Sequence, residues 1–383
     1  MGNPTSRACA DQVVVARNTF SMVADVIKVI SPTALSFFVG MAVSPVVSYY
    51  LYKYKCWKPT SGKKCGYAGG ETPIFNELHK NKDTGTPRMG GIVVWLSVFI
   101  TIAALWLLER VWGGVVFEKL EFFSRKQTWL PVAALLVGAV VGFLDDLSEV
   151  RGTASHFAGG LSLTKRLLVV ASVCAFAGWW FYSKLGISVV SLPFDGVMQM
   201  GLWFIPFFVI VGVAVYAGGI IDGIDGLAGG VFAIMFGSYG IIAFSQDLYD
   251  LSAFCGAVVG ALLAFLWYNV PPARYYMTET GVMGLTMALT MVAFMTDELG
   301  GGKGVAVLPI IALPLLITVA SDVIQVVSKK YRGKKVFLVA PLHHHFEAIG
   351  WSSYTVTMRY WIFSFIAAFV GLIIALTGSL FIH

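Results

Sequence analysis

Charged residues are scarce in this sequence. Asp, Glu, Lys and Arg make up 13% of its 383 residues, whereas hydrophobic residues make up 57%, and the mean hydropathy is +0.77. Cysteine is also rare, and five cysteines without close paired spacing indicate neither a disulfide framework nor a zinc site. This composition argues against an ordinary soluble globular protein and is typical of a membrane protein.

Ten apolar stretches are long enough to cross a bilayer, and each is predicted to be a helix because backbone amides in lipid must be bonded within their own segment. They cover residues 31–52, 90–109, 128–144, 167–184, 202–218, 228–245, 251–268, 281–297, 304–327 and 360–381. The predicted fold is an all-α integral membrane protein with a single ten-helix domain over residues 31–383. Residues 1–30 form an N-terminal extension without a signal-peptide pattern, and a short interfacial helix is one interpretation of it.

Basic residues are concentrated in one alternating set of loops. By the positive-inside rule these loops are cytoplasmic, which leaves both termini on the outer side. The formal net charge of +6 reflects this topology first, and no nucleic-acid partner is expected. These loops hold Lys53, Lys55, Lys58, Lys63, Lys64, Lys80, Lys82, Arg88, Arg151, Lys165, Arg166, Arg274, Lys329, Lys330, Arg332, Lys334, Lys335 and Arg359.

Five acidic residues fall where predicted spans meet the cytoplasmic face. Asp145 and Asp146 follow the third span, Asp222 and Asp225 follow the fifth, and Glu279 precedes the eighth. Carboxylates at membrane depth are costly and are normally placed for function, and a cluster of them suits magnesium. For any single one, a solvated loop acid is an equal alternative. The adjacent pair should point about 100° apart, whereas Asp222 and Asp225 should share a helical face.

A turn rich in glycine and threonine precedes the second predicted span. Thr86 and Arg88 lie within residues 84–91, and Lys82 lies beside this turn. A phosphate cradle is one interpretation, and an ordinary helix start punctuated by proline is the other.

Three consecutive histidines, His343, His344 and His345, follow a basic segment in the last predicted cytoplasmic loop. Consecutive side chains on a helix do not all face one metal, so phosphate contacts and proton handling are favoured over a zinc site. A structural role is the alternative. Asn269 ends the seventh predicted span, where its amide is suited either to bind a ligand or to cap a helix end.

Taken together, these motifs resemble the phospho-N-acetylmuramoyl-pentapeptide transferases, which belong to the polyprenyl-phosphate N-acetylhexosamine 1-phosphate transferase superfamily. The resemblance covers almost the whole chain after residue 30. The triple histidine is the most specific motif, because it is typical of the muramoyl branch. The matching segments are Thr86–Gly91, Gly142–Asp146, Asp222–Leu227, Leu266–Asn269, Arg332–Phe337 and Ala340–Glu347.

This resemblance implies a reaction at the cytoplasmic face of the bacterial inner membrane. Undecaprenyl phosphate attacks the β-phosphate of UDP-N-acetylmuramoyl-pentapeptide and gives lipid I and UMP, with Mg²⁺ required. The reaction is the first membrane step of peptidoglycan synthesis, on which cell wall biogenesis, cell shape and cell division depend. A homodimer with ten spans and outward termini is also implied.

The resemblance also implies roles for individual residues. It places Asp145, Asp146, Asp225, His343 and His344 in catalysis. Substrate binding is assigned to Lys82, Thr86, Arg88, Asp222, Asn269 and His345. Glu279 is the implied magnesium ligand, with Asp222 as a second candidate.

Three residues depart from the family pattern. Glu279 stands where the family has a metal-binding aspartate, Gly219 replaces an asparagine, and Arg88 replaces a threonine. An arginine at this turn is familiar in the sister branch that uses UDP-GlcNAc, so that branch is the rival enzyme. A membrane transporter or flippase is the rival from another class, although acids clustered at one face argue against a path through the midplane.

Overall fold

The computed structural model describes residues 4–57, 85–152, 160–192, 196–298 and 302–377 and is mostly helical. Two short strands, β1 (Val189–Ser191) and β2 (Val197–Gln199), form an antiparallel hairpin that the all-α prediction did not include. The helices are α1 (Pro4–Lys53), α2 (Ile92–Trp112), α3 (Val115–Leu120), α4 (Trp129–Val150), α5 (Leu163–Lys184), α6 (Phe204–Gly218), α7 (Leu227–Ser245), α8 (Tyr249–Asn269), α9 (Thr278–Glu298), α10 (Gly304–Ile311), α11 (Leu313–Arg332), α12 (Leu342–Ala348) and α13 (Ser353–Thr377). Short 3₁₀ turns at Gly201–Trp203 and Gly219–Ile221 flank α6.

Within the described residues, nine helical segments are long and apolar enough to cross a membrane. The pair α10 and α11 also passes this test if it is counted as one bent span, so the number is nine or ten. The prediction of a multi-pass helical membrane protein is therefore confirmed. The first candidate span runs over Met22–Lys53, within a helix that begins at Pro4.

The predicted span 304–327 is broken in the structure. The axes of α10 and α11 differ by 62° across Ala312. Pro314 stands in the first turn of α11, where its ring has no amide hydrogen and would clash with the carbonyl of a helix continuing from α10. Because proline is tolerated at a helix start and not in its interior, the chain ends one helix and begins another.

Glycines bring α4 and α9 into direct backbone contact. A Cβ atom built on Gly142 would lie 2.1 Å from the carbonyl oxygen of Glu279, and one built on Gly138 would lie 2.7 Å from the Cα of Gly284. Only glycine allows this approach. The contact places the C-terminal end of α4, with its two aspartates, beside the first turn of α9.

The opposite end of α9 is fastened to the hairpin. Asp297 accepts backbone hydrogen bonds from Ser191 at 3.0 Å and from Val305 at 3.3 Å. Between its two ends α9 is nearly all buried, and its core side chains include Met283, Leu289 and Phe294. Helix α9 is thus the central helix of the bundle, and the polar cluster described below lies at its N-terminal end.

Candidate active site

Two aspartates at the end of α4 have separate sets of partners. Oδ2 of Asp146 accepts hydrogen bonds from the Thr280 amide at 2.9 Å, the Thr280 hydroxyl at 2.6 Å and the Thr278 hydroxyl at 2.5 Å. Its Oδ1 accepts from Nη2 of Arg88 at 3.1 Å. Asp146 is fully buried, and these four bonds tie it to the start of α9 and to the turn before α2.

Asp145 faces the start of α5. One carboxylate oxygen accepts a hydrogen bond from the Leu161 amide, and the other lies 3.4 Å from Nη2 of Arg166. Nη1 of the same guanidinium donates to Oε1 of Glu279 at 2.7 Å, and Tyr216 donates to Oε2 of Glu279 at 3.3 Å. Arg166 is therefore a cation shared by two carboxylates, and the prediction that the adjacent aspartates have different partners is confirmed.

Asp222 and Asp225 lie in the turn between α6 and α7 and do not share a helical face as predicted. Oδ2 of Asp222 accepts from the Thr278 amide at 2.7 Å, whereas Oδ2 of Asp225 accepts from the Ala273 amide at 3.1 Å. The helical conformation ends at Asp222, which has φ of −75° and ψ of 66°, and Gly226 then adopts a left-handed conformation, with φ of +75°, directly before α7. Burial raises the pKa of Asp222 from 3.8 to about 6.

The Asn269 amide bridges two loops. Its Oδ1 accepts from the Gly226 amide at 2.9 Å, and its Nδ2 donates to the Tyr275 carbonyl at 2.9 Å. The side chain is only 5% exposed. These contacts give Asn269 a structural role between the two loops, and a contact with substrate stays a prediction.

The three histidines divide into two that face the acidic turn and one that does not. A Cβ atom built on Gly223 would lie 2.3 Å from Nε2 of His343 and 2.8 Å from Nε2 of His344, so both buried imidazoles press on the turn. His345 instead accepts a hydrogen bond from the Leu338 amide at its Nδ1, at 3.3 Å. Successive side chains on α12 point about 100° apart, which explains why the three do not face one point.

The orientation of the His344 ring is fixed by Glu347, on the side away from the acidic turn. Its Nδ1 lies 2.8 Å from Oε2 of Glu347, and Oε1 of Glu347 accepts from the Ser353 hydroxyl at 2.6 Å. A carboxylate bonded to one imidazole nitrogen fixes the ring and leaves the other nitrogen directed at the site.

The predicted phosphate turn is built into the protein core through its backbone. The Pro87 carbonyl accepts from the Tyr276 amide at 2.8 Å, and the Gly90 amide donates to the Tyr276 carbonyl at 2.7 Å. Nη2 of Arg88 lies 3.1 Å from Oδ1 of Asp146 and 2.8 Å from Oε2 of Glu149. Burial lowers the pKa of Arg88, but these carboxylates outweigh it and hold the pKa above its ordinary value.

Two further residues were assigned to substrate binding in this region. Thr86 is half-buried at the beginning of the turn. Lys82 lies outside the described residues. Their predicted contacts with substrate stay predictions.

The carboxylates do not form a complete magnesium site by themselves. Among the described residues, no group of three His, Cys, Asp or Glu side chains is placed to hold a metal. Glu279 is paired with Arg166, and Oδ2 of Asp222 is bonded to the Thr278 amide. Mg²⁺ is usually held by one or two carboxylates together with waters and substrate phosphates, so Glu279 and Asp222 would be its ligands from the protein. The magnesium requirement therefore stays a prediction.

Several site residues were not found from the sequence. Arg166 entered only as a loop cation, although it begins α5 close to the aspartate pair. Tyr216 carries a polar group within an apolar span, and that is a weak signal for a buried polar contact. Thr278 and Thr280 flank Glu279, where their hydroxyl groups are not distinguishable from ordinary helix-start residues.

The fold and site define a polytopic membrane protein with a compact cluster of acids, arginines and histidines at one end of its helices. The family model for glycosyl transferase family 4 matches residues 128–297, which run from α4 into the last turn of α9 and include both aspartate motifs.

Curated relatives match over a longer part of the chain. A phospho-N-acetylmuramoyl-pentapeptide-transferase of Anoxybacillus flavithermus is 34% identical over 354 residues, covering 91% of this chain and 98% of the relative. The enzyme of the same name from Geobacillus sp. is 33% identical over 346 residues, covering 89% and 95%. That of Chloroflexus aggregans is 34% identical over 306 residues, covering 76% and 77%. The chain belongs to the phospho-N-acetylmuramoyl-pentapeptide transferase family.

Proposed function

We propose that this chain transfers phospho-N-acetylmuramoyl-pentapeptide from its UDP-linked form to undecaprenyl phosphate, giving lipid I and UMP. The names of its relatives support this reaction. The observation on the structure that carries it is the cluster around Arg88 and Arg166, where two guanidinium groups lie among four carboxylates at one end of the bundle.

A phosphate oxygen of the acceptor attacks the β-phosphorus of the donor. The new bond joins that oxygen to phosphorus, the bond from the β-phosphorus to the bridging oxygen breaks, and UMP leaves with the electron pair. Because the nucleophile is already an anion, the protein mainly has to bring two polyanions together and hold them in line. Arginine side chains are suited to this task, because an incoming phosphate takes the place of a carboxylate as the partner of the guanidinium.

Arg166 and the histidines take complementary roles in this proposal. The side chain of Arg166 is 19% exposed, and its guanidinium binds phosphate at the membrane end of the site. His343 and His344 lie on the other side of the acidic turn, at Gly223, where they donate to phosphate oxygens of the nucleotide. Asp145 and Glu279 hold Arg166 in place until substrate binds.

The same proposal places the protein in the cytoplasmic membrane of a bacterium, with the site facing the cytoplasm and both termini outside. The basic loops and the location of the site at one end of the helices support this orientation. A homodimer is expected, and light scattering of the purified protein in detergent tests it.

Release of UMP by purified protein with undecaprenyl phosphate and magnesium tests the reaction. UDP-N-acetylmuramoyl-pentapeptide and UDP-GlcNAc are compared in parallel, with a known transferase as the positive control. We expect release with the muramoyl donor alone. Release with UDP-GlcNAc alone would assign the chain to the sister branch, and release with neither would contradict the proposal.

A further inference from the structure

Helix α11 has an apolar outer side and a polar inner side. Val323, Ile324 and Val327 are about half exposed, and Tyr331, one turn further on, is 76% exposed. On its inner side Ser321, Gln325 and Ser328 are buried. These exposed side chains show that the apolar side of α11 faces outward from the bundle. The helix is about 30 Å long, and its axis departs from that of α10 by 62°.

A rigid basic tip ends this helix. Gly333 adopts a left-handed conformation after Arg332, and the chain then returns along α11. Oε1 of Gln325 accepts from the amides of Val336 and Phe337 at 3.0 Å each, and the Ser328 hydroxyl donates to the Lys334 carbonyl at 2.9 Å. The returning segment is therefore held by buried side chains.

The tip carries one sign of charge. It contains Lys329, Lys330, Arg332, Lys334 and Lys335, and the sequence has no acidic residue between Asp322 and Glu347. Exposed apolar side chains, Tyr331, Val336 and Leu338, lie among these cations. Basic groups alone would fit many anions, but an apolar stripe that leads into a basic and aromatic tip matches the boundary between acyl chains and anionic headgroups.

We propose that α11 and residues 329–338 form a docking surface for anionic phospholipid headgroups, in the leaflet at the end of the bundle that holds the acidic and histidine cluster. The apolar stripe lies against acyl chains, Tyr331 lies at the headgroup level, and the lysines extend their stems to reach lipid phosphates. Binding anchors the segment that leads directly into α12, which carries His343 and His344.

The test measures lipid selectivity and does not depend on catalysis. The protein is reconstituted in vesicles of phosphatidylcholine with phosphatidylglycerol, and electron spin resonance gives the association constant of spin-labelled phosphatidylglycerol relative to spin-labelled phosphatidylcholine. We expect a preference for phosphatidylglycerol that weakens on raising the salt from 50 to 500 mM, because salt screens charges at the surface. The same protein is assayed separately for UMP release, so failure of one proposal does not imply failure of the other.

Charge reversal locates the preference. The variant Lys330→Glu, Arg332→Glu, Lys334→Glu and Lys335→Glu should lose at least half of it. A matched control reverses four exposed cations at the other end of the bundle, Lys119→Glu, Arg125→Glu, Lys126→Glu and Lys184→Glu, and should retain it. If reversal impairs folding, glutamine at the same four tip positions replaces it.

Three results would overturn the proposal. These are equal selectivity for the two lipids in the unaltered protein, equal loss in the tip and control variants, and no loss on neutralising the tip. The last result, together with cross-linking of cysteines placed at Val323 and Val327 between two copies, would assign the stripe to a dimer interface.

Discussion

Nη1 of Arg166 donates to Oε1 of Glu279 at 2.7 Å and so joins the start of α5 to the start of α9. The same guanidinium also faces Asp145, and both carboxylates lie at the edge of a low-dielectric bundle. Uncompensated carboxylates there would be strongly destabilising. The pair is thus a structural requirement of the site before it contributes to any reaction.

Replacing Arg166 by alanine should lower kcat/KM for UMP release at least about 100-fold, because the phosphate loses its cation and Asp145 and Glu279 lose their shared partner. Lysine at this position keeps the charge and should recover part of the activity. Lys165→Ala, at the exposed neighbouring position, is the control and should stay within about twofold of the unaltered enzyme. Equal losses at 165 and 166 would contradict the assignment.

Glu279→Gln should abolish magnesium-dependent turnover, and Glu279→Asp should keep at least part of it. Since Glu279 also pairs with Arg166, activity alone does not separate the two roles. The magnesium concentration that gives half-maximal activity of Glu279→Asp does separate them, because a metal ligand moved by one methylene shifts this concentration. Unchanged activity of Glu279→Gln would refute the metal assignment.

His344→Ala should reduce turnover about 100-fold, since its Nε2 faces the acidic turn at Gly223. Tyr354→Ala, at an exposed position near the start of α13, is the control and should remain within about threefold. Turnover numbers and the thermal midpoint of both variants are compared. Full activity of His344→Ala would return the histidine motif to a structural role.

Gly142→Ala should destabilise the bundle, lowering the thermal midpoint by at least about 5 °C, because the new methyl group would meet the backbone of Glu279. Gly237→Ala is the control in α7, where the nearest atom to a new Cβ is 4.0 Å away. This control should be neutral or slightly stabilising, because alanine is the better helix former. Similar midpoints for the two variants would show that α4 and α9 are not in such close contact.

The stability of Asp222→Asn should depend on pH relative to the unaltered protein. Burial raises the pKa of Asp222 to about 6, so the folded protein holds this proton to a higher pH than the unfolded chain does. The unaltered protein therefore loses stability as pH rises from about 4 through 6, whereas the asparagine variant does not. The thermal midpoint of Asp222→Asn should exceed that of the unaltered protein at pH 7.5 and equal it near pH 4. Glu118→Gln, at an exposed position, should show no such difference. A pH-independent gap would contradict this prediction.

Sequence patterns predicted the helical class and the approximate spans because apolar runs of about 20 residues are typical of transmembrane helices. They also predicted that Asp145 and Asp146 diverge, since this follows from helical geometry alone. The break before Pro314 was missed because proline is compatible with either a kink or a helix start. The hairpin at Val189 was missed because its strands have only three residues.

The partners of the site residues were much harder to predict. Arg88 meets Asp146 across 58 residues of sequence, and Arg166 meets Glu279 across 113. Such pairs depend on how the helices pack, and one sequence does not encode that packing in a local pattern. Asp222 and Asp225 were expected on one helical face because residues three apart are neighbours on a helix. The segment is a turn instead, and the spacing in the sequence does not distinguish the two.

The contact between Gly142 and the backbone of Glu279 has a consequence for how this site can vary in evolution. The spacing between the α4 aspartates and position 279 is set by two main chains in contact, so it does not depend on which side chain occupies position 279. Exchange of aspartate for glutamate there changes the reach of one carboxylate and leaves the scaffold alone. The glycines, in contrast, have no substitute, and a lineage can alter the chemistry of this cluster more freely than its dimensions.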